Sequence, residues 1–369
     1  MVSNARQLAQ VPSAPSERRN LIINGAMDVH QRGGTISAVN AAIYTLDRFI
    51  TIRGSSYNFD VDISQSSEAP DGFANSLKID VQATATPSGS ENFGFEQKIE
   101  SQNTTHLNYG SSSGKYIVLS FWVRSGKTGT YGLQLVHNGK SRNFVSSYTI
   151  DSANTWENKT IVINPDTAGS SAFVDGTGAG LRIVWHLSTG ADDLLSGNRD
   201  WTDDGSFRSV TGQANLLDST SNEFYITGVQ LEIGTVATDF EHRSYAEELQ
   251  LCQRYFEYAS ELYLKAHPIW FYGDTNAATR LHLVVPKRSN SYTVGYAGTI
   301  GTGSSDHRVY YSGAYRAFSA MTFSSTAKAL KSVRVDFTTI TGGSAGGAGG
   351  YYNLGSSTVA SHIYVDDEL

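Results

Sequence analysis

The feature that most restricts how this chain can fold is a period-two alternation of apolar and polar residues. It returns along most of its length with no helical pattern in between. In "YNFDVDIS" the apolar positions are Tyr57, Phe59, Val61 and Ile63; in "NSLKIDVQAT" they are Leu77, Ile79 and Val81. In "NFGFEQKIE" the same parity carries Phe93, Phe95, Gln97 and Ile99. Side chains two apart in an extended chain share a face, so each run predicts a strand with one buried side.

Further strand runs are "NLIINGAMDV", "YTLDRFITIRG", "KYIVLSFWVRSG", "WENKTIVI", "GLRIVWHL" and "EFYITGVQLEIG". "TYGLQLVHNGKSRNFVSSYTI" reads as two strands joined at Asn138-Gly139, a strong hairpin signal. Strands this closely spaced, with no helices between them, predict an antiparallel sandwich or jelly roll rather than βαβ units. One helix is expected after them. Ser244 and Glu247 have capping-box spacing, and Tyr245, Leu249, Cys252, Phe256 and Ala259 recur on one face. Glu247, Glu248, Gln250, Gln253, Arg254 and Glu257 lie opposite. β-type runs then resume from "ELYLKAHPIWFYG" to "SHIYVDDEL", around a low-complexity insert, "TGGSAGGAGGYYNLGSS".

The expected class is all-β, with a jelly-roll β-sandwich, one connecting amphipathic helix and a smaller C-terminal β domain. The expected boundaries are an arm at 1–19, the sandwich at 20–241, the helix at 242–260 and the second domain at 261–369. The arm is polar and carries Pro12 and Pro15, which suit neither a helix nor a central strand.

Composition narrows the functional classes. Charged residues make up 17% of the 369-residue chain, below the roughly 25% of an average globular protein. The 20 Tyr, 16 Phe and 5 Trp supply ample core material, so this is not a disordered composition. The formal net charge is −7 and no basic cluster exceeds Arg18-Arg19, which argues against nucleic acid as a partner. The single cysteine, Cys252, allows no intrachain disulfide and falls on the apolar helix stripe, where packing is expected. The N-terminus lacks the apolar core of a secretion signal, and no apolar run approaches the roughly 18 residues of a membrane span. Synthesis in a host cytoplasm without membrane insertion is the expectation.

Several phrases, taken in order, resemble one lineage. "NLIINGAMDVHQRG" followed by "YTLDRF" looks like the start of a module found in tail-fibre and related virion proteins of bacterial viruses. "YIVLSFWVRSGKTGTYGLQL", "TWENKTIVI" and "FYITGVQLEIGTVATDFEHRSYAEELQLCQRYF" resemble its later strands and its exit. The match spans roughly residues 20 to 256 and is also similar to jelly-roll carbohydrate-binding modules. Departures are His30 and Phe49, where many members have Trp, and Thr227, where sugar-binding members often carry a calcium-holding Asp. The resemblance therefore extends no calcium site to this chain.

Two catalytic motifs are absent, H-E-x-x-H and C-x-x-C; G-x-S-x-G occurs only within the Ser/Gly-rich runs Gly110–Gly114 and Gly342–Gly346. "GNRDWTDDG" gathers Asp200, Asp203 and Asp204 beside Trp201; paired carboxylates could serve a glycosidase or hold calcium, but a solvated loop is the expectation. The glycines between Gly342 and Gly350 lack the Lys of a phosphate loop. His106, His137, His186 and His282 show no metal-ligand spacing, and His186 reads as an ordinary strand residue. Neither metal nor cofactor is expected. Trp122 and Trp156 are expected in the core, and Trp201 in a loop. The second domain carries Trp270, Tyr272, Tyr310, Tyr311 and Tyr315.

Flat rings stack on sugars. The glycan-binding candidates are therefore Trp201, Tyr310, Tyr311, Tyr315 and Arg316, and the oligomer or domain-interface candidates are Tyr245, Leu249, Cys252 and Phe256. The expected function is a non-enzymatic structural subunit of a phage particle: tail fibre, spike or capsid decoration. It would be homotrimeric, joined to other virion proteins through residues 1–19, and able to contact host-surface glycans through the distal β domain. The alternatives are a soluble carbohydrate-binding protein and a polysaccharide depolymerase tailspike.

Overall fold

The structure, a computed structural model, describes residues 19–369 except 40, 55–56, 139–141, 169–172, 259–266, 290, 297–306, 312–313, 317–319, 330–331, 339, 341–347 and 354–362. Side chains are not described at 38, 267–268, 296, 307–311, 314–316, 320–321, 324–329, 333 and 348–353. The arm and the low-complexity insert thus fall largely outside the described residues. The chain divides into two compact units, Met1–Ser244 and Tyr245–Leu369.

The first unit holds β1 Ile36–Val39, β2 Ile50–Gly54, β3 Asp60–Ser66, β4 Ser76–Ala83 and β5 Asn92–Glu100. It continues with β6 Ile117–Ser125, β7 Gly129–His137, β8 Arg142–Ile150, β9 Glu157–Ile163 and β10 Ala179–Thr189. The short strands β11 Leu194–Leu195, β12 Arg199–Thr202 and β13 Ser209–Val210 precede β14 Glu223–Ile233. Two six-stranded sheets result, ordered β1-β3-β4-β14-β6-β9 and β12-β8-β7-β10-β5-β2. The chain repeatedly changes sheet, as from β5 to β6, β6 to β7 and β9 to β10, which is jelly-roll connectivity. One core fills the space between: Trp185 of β10 stacks on Phe95 at 5.1 Å and meets Phe121 of the opposite sheet edge-on at 5.9 Å.

"NLIINGAM" reads as a strand run but forms no strand; its Asn24-Gly25 stretch makes a turn, with the Met27 N–H donating to the Asn24 carbonyl at 3.0 Å. Side-chain amides satisfy its backbone instead. Asn20 accepts from Ile22 and Leu231 backbone N–H groups, and Gln97 both donates to and accepts from the backbone of Ile23. Asn24, with φ 61°, donates to the carbonyls of Val29 and Asp47. Gly25 is needed for close approach, since a Cβ there would lie 2.2 Å from the Val229 carbonyl oxygen. Thr227 is buried and donates to the Ala26 carbonyl at 3.2 Å.

The tryptophan assignments need correcting. Trp185 is the indole in the core, whereas Trp122 and Trp156 are only partly buried. Trp122 pairs with Thr227, and the register puts it on the outer face, opposite in parity to buried Phe121 and Val123. Trp201 lies in β12 rather than in a loop.

The second unit begins with α1, Tyr245–Gln253, whereas the sequence reading sets this helix apart as a connector over 242–260. The helix is also shorter than its stripe suggests. Phe256 belongs to β15 Phe256–Tyr258, which pairs with β24 Ile363–Asp366. Tyr255, Phe256 and Tyr258 have strong strand preference, and the step of four from Cys252 to Phe256 mimicked a helix face. Buried Lys287 donates to the Gln253 carbonyl, placing a cation at the helix C-terminus. Lys287 also pairs at 2.9 Å with the buried carboxylate of Glu257.

The remaining strands are β16 His267–Gly273, β17 Asn276–His282, β18 Thr293–Tyr296, β19 His307–Tyr311 and β20 Ala314–Arg316. They are followed by β21 Ala320–Ala329, β22 Ser332–Thr338 and β23 Ala348–Asn353. A seven-stranded sheet, β20-β19-β23-β16-β17-β22-β21, and a three-stranded sheet, β15-β24-β18, share a core that includes Phe271, Leu281, Phe337 and Val365.

Candidate ligand-binding groove

The outer face of the sheet containing β10 is assembled by register. Cross-strand partners place Ile50, Glu96, Val184, Gln134 and Val145 in one row. Lys98, Arg182, Val136 and Asn143 form the next, and Ile52, Gly94, His186 and Gly132 a third. The intervening positions carry Phe93, Phe95, Trp185 and Tyr131, all turned into the core. Alternation has therefore sorted the aromatic residues inward and the polar ones outward. The outer face lines an open groove of about 460 Å³, within the size range of ligand sites.

One wall is the excursion between β10 and β14. Ser209 of β13 sits directly over Gly132, where a Cβ would lie 2.0 Å from its hydroxyl oxygen. The Phe207 carbonyl accepts from Gln134 at 3.0 Å and from Asn143 at 3.4 Å. Because the Gln134 amide nitrogen donates there, its Oε1 faces His186 Nε2 at 3.2 Å and accepts from it. That fixes the tautomer, leaving His186 Nδ1 as a bare acceptor. Burial drives the His186 pKa down to about 3, assisted by Arg208 and Arg182 nearby, so the ring is neutral. His186 Nδ1 and Asn143 Oδ1 are buried and have no hydrogen-bond partner within the protein. Orphan acceptors of this kind are costly unless something supplies a donor.

Most cations of the groove have a carboxylate partner, but Arg182 and Lys98 share that of Glu96, and Arg53 donates to the Tyr57 carbonyl. Glu96 is held by Arg182 at 2.9 Å and by Lys98 at 3.7 Å. Arg142 forms two 2.6 Å bonds to buried Asp166 and one of 2.7 Å to Asp203, which together hold its guanidinium firmly protonated. Arg208 pairs with Asp193. No Phe, Tyr or Trp ring lines the groove among the described residues. Such a surface can exchange many hydrogen bonds with a hydroxyl-rich ligand.

The acidic stretch is structural in character. Asp203 pairs with Arg142, Asp204 with Arg199 at 3.2 Å, and Asp200 accepts from Asn164 at 2.8 Å. Trp201 is not in the groove: its ring packs near Tyr109 and Phe144, and its Nε1 donates to the Asn164 carbonyl. Among the described residues no cluster of His, Cys, Asp or Glu could hold a metal ion. Tyr310 and Tyr311 lie in β19 and Tyr315 and Arg316 in β20, with Tyr310 paired to Tyr315; their side chains are outside the described residues. Of the interface candidates, Tyr245 is 59% exposed and Leu249 half-buried, while Cys252 and Phe256 are buried in this chain.

Asn143, Gln134 and Arg182 were not singled out from the sequence, and His186 read there as an ordinary strand residue. The available signal was the second parity of each strand, opposite to the apolar one. No helix among the described residues is long and apolar enough to cross a membrane.

No protein-family model matches the chain, and no curated protein matches it in sequence. Solved structures similar to part of it include the enzymatically active domain of tailspike protein 4 of bacteriophage CBA120, at 13% identity and TM-score 0.34, over 58% of this chain and 21% of that one. The chain thus spans about a fifth of the length of that tailspike chain. A CBM4 structure matches at 14% identity and TM-score 0.31, over 57% of this chain and 98% of its own. The family 11 carbohydrate-binding module of the Clostridium thermocellum cellulase Lic26A-Cel5E matches at 12% identity and TM-score 0.28, over 57% of this chain and 97% of its own.

Proposed function

We propose that this chain is a non-enzymatic, saccharide-binding structural subunit of a phage particle, and that the groove of its first unit is the binding surface. The observation that carries the binding reading is the pair of buried orphan acceptors, His186 Nδ1 and Asn143 Oδ1, beside Arg182 and Lys98, which share the carboxylate of Glu96. Hydroxyl groups donate to such acceptors and accept from such cations, so a polyhydroxylated ligand satisfies the site. The particle role is supported by the ordered phrases from Asn20 to Phe256. Weak single-site binding suits it, because several copies on one particle raise avidity by roughly 10²–10⁴-fold.

Calorimetric titration of the full chain with neutral cello-, xylo- and galacto-oligosaccharides tests the groove. Binding of at least one series is expected, weakened at least about tenfold by the Asn143→Leu/His186→Phe double variant at unchanged melting temperature. Unchanged affinity in that variant would remove the groove from the binding surface. Release of reducing ends from host polysaccharide in an Asp203-dependent way would replace the binding reading with a depolymerase.

A further inference from the structure

The outer face of the seven-stranded sheet in the second unit carries a different assembly. Along β16 the alternation buries Ile269 and Phe271 and turns Trp270 and Tyr272 outward, 44% and 48% exposed. Register places Trp270 beside Ala278 of β17 and Ala278 beside Asp336 of β22, with Arg280 opposite Arg334. Alanine between the indole and the carboxylate leaves room for a long side chain to cross. Arg334 does so: its guanidinium carbon lies 5.9 Å from the Trp270 ring centroid and 5.4 Å from that of Tyr272. Asp336 holds the same guanidinium at 2.6 Å and 3.0 Å. Burial and Asp336 both push the Tyr272 pKa up, so its hydroxyl stays protonated as a donor.

Two aromatic rings, a guanidinium and a carboxylate thus form one layer at the surface. Its charge is unbalanced. Among the described outward residues of β16, β17 and β22, Asp336 is the single carboxylate against two guanidiniums: Arg334 pairs with it, and Arg280, opposite Arg334 in register, donates to Ser332 instead. Like charges directly opposite in a sheet repel, and Arg280 has Ser332 as a neutral partner at 3.1 Å. A bound anion next to Arg280 relieves that repulsion.

We infer that this face binds an acidic saccharide, a pyranose bearing a carboxylate. The apolar face of the sugar lies on Trp270, its hydroxyls meet Arg334 and Asp336, and its carboxylate pairs with Arg280. Aromatic rings supply the stacking surface and guanidinium supplies geometry matched to a carboxylate. This inference does not rest on the groove of the first unit, which is lined by no Phe, Tyr or Trp among the described residues.

The test titrates the full-length protein with oligogalacturonate and with its fully methyl-esterified form, which keeps the ring and removes the charge. The acid is expected to bind at least about tenfold more tightly than the ester, and to weaken with added salt. Trp270→Ala should abolish binding of both forms at unchanged melting temperature. Arg280→Gln should bring the acid down to the level of the ester and leave the ester as it was. Equal affinity for acid and ester, or full binding by Trp270→Ala, overturns the inference. So does loss of oligogalacturonate binding in the Asn143→Leu/His186→Phe groove variant alone, which would move the ligand to the first unit.

Discussion

His186 stands at an outward position of β10 between two glycines, Gly94 and Gly132, so the residues directly opposite it on the neighbouring strands lay no side chain over its ring. Its burial comes from the excursion that lays Ser209 and Phe207 across the sheet. The imidazole is neutral in the folded protein, with its pKa lowered to about 3, and titrates near 6.5 once unfolded. A depressed base favours the folded state fully above its unfolded pKa and loses that contribution as pH falls toward the folded one. The denaturant midpoint of the native protein should therefore drop more steeply between pH 7 and pH 4.5 than that of His186→Phe. Parallel curves for the two proteins would count against a buried neutral imidazole. Ligand affinity in the groove should stay flat from pH 5 to 8, because Nδ1 remains an acceptor throughout.

At the level of elements, the second unit depends on its last strand. β24 lies between β15 and β18, with Ile363 and Val365 buried. Just beyond it, Asp367 accepts from Arg288 and from the Ser289 hydroxyl and backbone, while its own N–H donates to Tyr255. Removing residues 363–369 leaves two strands without their shared partner and exposes apolar core. Limited proteolysis of that truncation should degrade the chain beyond Ser244 and spare a fragment of the first unit; survival of the whole chain would refute the dependence. The stripe predicted for α1 shows why element boundaries are hard to read. Cys252 and Phe256 share helical spacing, but strand pairing with Asp366 decided the conformation of Phe256.

For the whole molecule, burial of Cys252 and Phe256 within the chain leaves Tyr245 and Leu249 as the accessible part of the stripe among the described residues. If the proposed homotrimer uses it, Tyr245→Ser should lower the assembly state by light scattering without lowering the melting temperature. A monomeric native protein at micromolar concentration would rule the trimer out. The arm gives a second expectation. Arg19 donates to the Asp239 carbonyl and pairs with Glu232 at 3.5 Å, so the fold takes hold of the chain there. A protein beginning at Arg19 should melt as the full chain does and fail to join particles. A lower melting temperature would show the arm to be part of the fold.

Alternation was enough to establish that the chain is mostly β and which parity is buried in β3, β4 and β5. Those are local properties, since the choice of face depends on residues two apart. The groove was not legible in this way. Glu96 and Arg182 are 86 residues apart in the chain and meet because β5 pairs with β10 in one register. A shift of one residue in that register would have turned the same side chains into the core. The platform of Trp270, Arg334 and Asp336 has the same origin, with Ala278 lending its small size to a contact between strands that are not neighbours. Which strands lie side by side is decided by packing of the two faces into a common core, and only the tertiary structure carries that information.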